Sequence, residues 1–394
     1  MHADESENGA ATAADRVIEV RTTPATLSTV SPAPRRPMPE DFGISLRAVR
    51  AADRRIATPG GERRQPMRGY EDTFTDIVDF ILRVTHRIWE EKAVGYLYEH
   101  YTHNARVVQD DGIVYGRERV IEATTAFLAG FPDLRLFADD IVWCGDEDVG
   151  FWTSHRLTLV GHNTGWTVWG PPTGRRITMT VIADCHSREN RIGDEFVVYN
   201  TASLVRQLGH DPLTLARSTS ATPASGIGEE GTGEVERIVG QGSPELLDPD
   251  EPGIEAFVRR TLHELWNWRL FDRVAERYAA AFRFHGPTGR ELFGRADYTA
   301  YVLGLLTMFP DAAHRVDDLY WMGNDEEGFA VAVRWSLTGT HRGPGPYGPP
   351  TGRRVTHWGL THLTVRDGVI VEEWTVSNEF AVLQQLHRPP EATA

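Results

Sequence analysis

At 394 residues, 40% hydrophobic and 10% aromatic, the chain is long enough for two or three domains with substantial cores. A formal net charge of -15 argues against a nucleic-acid partner, and no run approaches the roughly 18 apolar residues of a membrane span. Cys144 and Cys185 cannot build a disulfide framework, and MHADESENGAATAAD lacks a charged-then-apolar leader, so a cytoplasmic location is expected.

Residues 1–70 are rich in Ala, Pro, Arg, Thr and Ser without a sustained apolar period. They are expected to be disordered, apart from a short helix near Ile44–Arg55. A first domain is expected over 71–210. It opens with TFTDIVDFILRVTHRIW, where Phe74, Ile77, Phe80, Ile81, Val84 and Ile88 form a helical stripe that Thr75–Asp76 can cap. Candidate strands follow at Asp139–Trp143, Gly150–Leu159, Ile177–Cys185 and Gly193–Asn200. Residues 211–253, with STSATPASGIGEEGTGE and GSPELLDPDEPG, read as a linker. A second domain over 254–388 restarts with IEAFVRRTLHELWNW.

The two domains are copies. GPPTGRR occurs at Gly170–Arg176 and again at Gly348–Arg354, 178 positions later. FPDLRLFADDIVWCGDEDVGFW, from Phe131, sits over FPDAAHRVDDLYWMGNDEEGFA, from Phe309, at the same offset. Glu195, Asn200, Gln207 and Leu208 likewise sit over Glu373, Asn378, Gln385 and Leu386. A period this long is domain duplication rather than a solenoid. Helices followed by strands predict α+β architecture in each copy, a curved antiparallel sheet with helices on its concave side.

The second copy carries, in order, FPD, GTHRG (Gly339–Gly343), GPPTGRRV, VRDGVIVEEW (Val365–Trp374) and LQQL. The first carries FPD, GHNTG (Gly161–Gly165), GPPTGRR and LVRQLG. This ordered set resembles the SnoaL-like polyketide cyclase (ester cyclase) family of the NTF2-like superfamily. The resemblance implies two cone-shaped domains, each with a cavity between sheet and helices. In the cyclases an acid/base side chain in that cavity moves a proton for intramolecular aldol closure, with no cofactor and no metal. The resemblance also places Trp374 and residue 378 on the cavity wall. There the family has an acid and this chain has Asn378, a departure repeated at Asn200.

Asp367–Gly368 between β-rich runs predicts a two-residue hairpin in which Arg366 faces Val369. Counting outward, Leu363 then faces Glu372, Thr361 faces Trp374 and His357 faces Asn378, all on one face. His362 and Glu373 fall on the other, as do Asp184 and Glu195 in the first copy. An amide is no base, so His357 is expected to be the catalytic base, with Asn378 holding an oxygen. Trp374, Thr361, Glu372, His341 and His285 are the expected substrate contacts. In the first copy Met179 replaces His357, leaving Asn200 beside apolar neighbours including Phe196, so that copy reads as a binding or structural unit.

No H-x-x-x-H or C-x-x-C occurs, so no metal site is expected. GPPTGRR lacks P-loop spacing and reads as turn chemistry before a strand. Two functions stay open: a cofactor-independent cyclase or isomerase of a small carbonyl compound working in the second domain, or a non-catalytic small-molecule-binding or assembly protein. The expected partner is a small-molecule substrate or ligand. The two domains are expected to form an internal pseudo-dimer, with a homo-oligomer also possible.

Overall fold

A computed structural model describes Ile44, Ile56 and residues 61–220 and 252–388. Most of the N-terminal segment and residues 221–251 of the linker lie outside the described residues. The first domain runs α1 (Ile77–Trp89), α2 (Leu97–His100), β1 (Tyr101–Val108), β2 (Ile113–Tyr115), α3 (Arg117–Gly130), β3 (Arg135–Asp146), β4 (Gly150–His162), β5 (Arg176–Arg188), β6 (Arg191–Tyr199) and α4 (Thr201–Leu208). After α5 (Pro212–Thr219) the order repeats: α6 (Ile254–Trp266), α7 (Arg273–Arg277), β7 (Tyr278–Gly286), β8 (Arg290–Phe293), α8 (Gly294–Met308), β9 (Ala313–Asn324), β10 (Gly328–Thr340), β11 (Arg354–Arg366), β12 (Val369–Ser377) and α9 (Glu379–His387).

Each domain is α+β with one six-stranded sheet, ordered β2-β1-β6-β5-β4-β3 and β8-β7-β12-β11-β10-β9. The sheets are mixed rather than purely antiparallel, because β1 joins β6, and β7 joins β12, in parallel. Helix α1 starts where Asp76 accepts from the Asp79 amide at 2.8 Å. Its apolar stripe of Ile77, Phe80, Ile81, Val84 and Ile88 lies in one core with Leu157, Leu159 and Val181. Two expected boundaries shift. Met67 and Tyr70, in the segment expected to be disordered, are buried, and Tyr70 packs edge-on to Phe80 and Phe151. Asp211–Ser220, expected to be linker, holds α5, because Asp211 caps it by accepting from Thr214 N at 2.8 Å and Pro212 suits a first turn.

The repeated motifs build scaffold. Asp133 accepts from His162 N at 2.7 Å, and Asp311 from Thr340 N at 2.6 Å, so the FPD aspartates pin equivalent strands. Asn163 and His341, equivalent residues of GHNTG and GTHRG, both hold the GPPTG loop: Thr173 N donates to Asn163 Oδ1 at 2.8 Å and Thr351 N to His341 Nδ1 at 3.3 Å. Gln207 clamps both backbone groups of Thr178, and Gln385 those of Thr356. His341→Asn, which copies the first domain's solution, is therefore expected to shift the thermal midpoint by only a degree or two; a fall above about 8 °C would assign His341 a role its counterpart lacks.

The faces of the two sheets turned away from the helices meet one another. Ile182, Val198, Trp358, Leu360 and Val376 form one apolar seam, and Val142, Cys144, Tyr320, Ala330 and Ala332 another. Polar bonds cross it as well. Tyr320 donates to Asp184 at 2.6 Å, His362 bonds Ser154 at 2.9 Å and Asp140 at 3.3 Å, and the Arg334 guanidinium lies 3.6 Å over Phe196. Among the described residues no helix is long and apolar enough to cross a membrane.

Candidate functional site

The last hairpin of the second domain turns where the Asp-Gly pair predicts, with Arg366 facing Val369. Asp367 and Gly368 take φ 50° and φ 72°, the left-handed values this turn needs. One pair further on, the ladder slips: Val365 faces Ile370, but Thr364 faces Glu372, so Val371 is an extra residue. This bulge turns every later side chain of β12 to the opposite face. The first domain has the same bulge, with Gly193 the extra residue.

The consequence is a different cavity wall from the one the sequence suggests. Glu373 and Thr375 line the second domain's cavity with His357, Thr361, His314, Trp266, Tyr301 and Trp335. Trp374 does not reach it. It lies on the opposite face, stacked 3.7 Å from His285 and covered at 4.0 Å by the Arg156 guanidinium of the first domain. Glu372 and His285 leave the cavity with it, bonded to each other at 3.2 Å, and Glu372 also pairs with Arg283 at 2.9 Å. Phe196 belongs to the seam between the sheets, and His341 to the GPPTG loop. His362 and Glu373, expected side by side, point to opposite faces, as do Asp184 and Glu195.

Asn378 does not face His357 across the ladder. Its Oδ1 accepts from Trp358 N at 2.9 Å and its Nδ2 donates to the Thr356 carbonyl at 3.4 Å, so the amide is taken up by the backbone of β11. Asn200 spends its Oδ1 differently, accepting from Thr288 N of the second domain at 2.8 Å. Restoring the family's acid with Asn378→Asp removes the donor to Thr356 and buries a carboxylate. The expected result is a loss of about 1–3 kcal/mol with no gain in turnover, read by urea denaturation and product formation. A variant equally stable and more active would show that residue 378 works on substrate.

A hydrogen-bonded chain runs through the cavity. Trp335 Nε1 donates to Thr361 Oγ1 at 3.0 Å, Thr361 and Thr375 hydroxyls meet at 2.7 Å, and Thr375 donates to Glu373 Oε1 at 2.9 Å. Tyr298 donates to the other oxygen, Oε2, at 3.0 Å, and Tyr278 lies 3.4 Å behind Tyr298. Burial drives the Glu373 carboxyl up to about 7, partly offset by the Thr375 and Tyr298 bonds. His357 Nε2 bonds Ser377 Oγ at 2.8 Å, and burial holds its ring down to about 4. His314, stacked between Trp266 and Trp335, is pushed down to about 3, mainly by burial. At neutral pH the cavity thus contains two uncharged imidazoles and one carboxyl near its midpoint. The enclosed space is about 30 Å³, room for a few waters.

The first domain's cavity, about 40 Å³, is not purely apolar. Glu195 lines it and accepts from Tyr101 at 2.8 Å; burial raises its carboxyl to about 7. His155 lines it too, held down to about 4 by burial. Among the described residues, the grouping of three metal-ligating side chains, Glu71, Glu99 and His100, includes none of either cavity's lining.

The SnoaL-like polyketide cyclase model matches residues 75–208 and 256–386, more than half of the chain. The chain belongs to this family. No curated protein matches it. Among solved structures, this SnoaL-like chain is similar to a proposed SnoaL-like polyketide cyclase from Jannaschia sp. CCS1, at 24% identity and a TM-score of 0.31, covering 36% of this chain and 100% of that one. It is also similar to IdmH, a proposed polyketide cyclase from Streptomyces antibioticus, at 28% identity and a TM-score of 0.29, covering 34% of this chain and 96% of that one. AclR, a proposed hydroxylase from Streptomyces galilaeus, matches at 26% identity and a TM-score of 0.30, covering 35% of this chain and 87% of that one. Each match covers about a third of this chain.

The SnoaL-like pattern in the sequence leads to the right hairpin but to the wrong face of its second strand. Glu373, Thr375 and Ser377 were hidden by the bulge. Glu recurring at 195 and 373 is the signal that could have found the first of them, whereas Thr375 and Ser377 stand over Val197 and Tyr199 and left none.

Proposed function

We propose that the second domain is a cofactor-independent cyclase or isomerase of a small, polyketide-like carbonyl compound. What supports this reading is one cavity holding a carboxyl poised near pH 7 beside an imidazole that stays neutral. A general base works best with a pKa near the working pH, which favours Glu373 over His357. Glu373 takes the proton from a carbon between two carbonyls. His357, with Ser377 donating to its Nε2, carries its own proton on Nδ1 and donates it as a hydrogen bond to the developing enolate oxygen. The enolate carbon then forms a bond to a second carbonyl carbon of the same molecule, whose oxygen recovers the proton from Glu373. Atoms balance with no oxidant and no metal ion. Substrate entry requires side chains of α6 and α8, such as Trp266 and Tyr301, to move aside. Neither cysteine is in a disulfide, which favours a cytoplasmic setting.

The test is incubation of wild-type protein and His357→Ala with small-molecule extract of the source organism, followed by chromatography and mass spectrometry. The expected product has unchanged mass and shifted retention, or has lost water, and forms roughly 10²-fold more slowly with the variant. The competing reading is a non-catalytic small-molecule-binding or assembly protein. Compounds retained by both proteins and altered by neither would establish it.

A further inference from the structure

We propose that Glu71, Glu99 and His100 of the first domain bind a divalent first-row transition cation, with Zn²⁺ the best match. Their ligand atoms lie within 4.8 Å of one another, although they come from the approach to α1 and the end of α2. His100 is fully buried, and its Nε2 has no hydrogen-bond partner among the described residues. That orphan atom points at Glu71 Oε1, 3.9 Å away, too far for a hydrogen bond and close enough for a shared ion after small side-chain shifts. The other ring nitrogen, Nδ1, meets the Asn190 carbonyl at 3.2 Å. A carbonyl only accepts, so Nδ1 carries the proton and the neutral ring presents its lone pair from Nε2. This is the arrangement that orients histidine for a metal.

The ring has no freedom to seek another partner. Phe74, Phe80 and Tyr96 pack around it, Tyr96 at 4.4 Å between ring centres. Asn190 Nδ2 donates to Glu71 Oε1 at 2.9 Å and fixes that carboxylate in turn. Two carboxylates balance the charge of a divalent ion. The imidazole favours zinc over the all-oxygen preference of Ca²⁺ and Mg²⁺, and a water completes four-coordination. Glu99 is exposed, so the ion has a route in. A bound ion would fasten the chain entering the first domain to α2 and to the β5–β6 turn. The absence of local H-x-x-x-H spacing does not bear on such a site, because its ligands are 28 residues apart at the near end and meet only in the fold.

The full chain, stripped with chelator and dialysed, is titrated with ZnCl₂ and separately with MgCl₂ by calorimetry, beside Glu99→Gln and Glu71→Gln. One Zn²⁺ per chain is expected, with no Mg²⁺ heat and at least a roughly 10-fold loss of Zn²⁺ affinity in each variant. Co²⁺ in place of Zn²⁺ is expected to give visible ligand-field bands that disappear in His100→Gln. Glu99→Gln keeps the test decisive if His100→Gln fails to fold, because Glu99 is exposed. No Zn²⁺ uptake, or uptake unchanged in both glutamate variants, overturns the proposal.

Discussion

Glu373→Gln is expected to slow turnover by roughly 10²–10⁴-fold, the range for losing a positioned general base, while leaving the fold intact. Glutamine keeps the shape and can still accept from Thr375, but it cannot take a proton. Wild-type activity should rise with pH as the carboxyl ionises around pH 7, and that inflection should be missing from the variant's residual rate. Stability should move the other way. Between its ordinary value of 4.5 and about 7, the folded protein holds a proton that the unfolded chain has lost. The resulting stabilisation is complete below pH 4.5 and disappears as pH rises through 7. At 1.36 kcal/mol per pH unit it amounts to about 3 kcal/mol, an upper limit. Glu373→Gln should therefore be more stable than wild type at pH 8 and no more stable at pH 4. Urea midpoints at the two pH values check this; a variant less stable at pH 8 would mean that the carboxylate is well solvated and no poised base.

Trp358→Ala is expected to cost about 3–5 kcal/mol, as truncation of a fully buried aromatic does. Trp358 is 0% exposed and packs among Ile182, Val198 and Phe196 of the other domain, so its removal opens the seam rather than either cavity. Its buried indole N–H has no partner among the described residues, so Trp358→Phe should cost much less. Urea unfolding followed by circular dichroism measures both. A loss under about 1 kcal/mol for the alanine variant would show that the two sheets merely touch.

Much of the fold was legible because duplication repeats its signals: the amphipathic opening helix, the FPD ends and the GPPTG loops each occur where equivalent elements form. The site was legible only as far as β11, where His357 and Thr361 line the cavity. Beyond the turn, one extra residue decides which side chains enter, and Val371 looks like any other strand residue. Alternation alone therefore exchanged Glu373 for Trp374. Glu372 went astray for the same reason, and His285, placed by the resemblance rather than by counting, packs on the same outer face as Trp374. Asn378 was misjudged differently: a polar residue after a strand reads equally as a ligand contact or as the start of a helix, and here its amide is taken up by the β11 backbone. The metal ligands proposed above form no local motif, since Glu71 lies 28 residues before the adjacent pair Glu99 and His100.

The sheet-to-sheet seam joins halves of a single polypeptide, and that changes what each half is free to become. Two identical subunits meeting this way would be bound to carry the same residue in both cavities, and a change harmful in one would be harmful twice. Here Met179 stands where the other half has His357, and Ala183 where it has Thr361. Tethering also keeps the halves together at any dilution, so one cavity can specialise while its neighbour continues to supply the opposing wall of the seam.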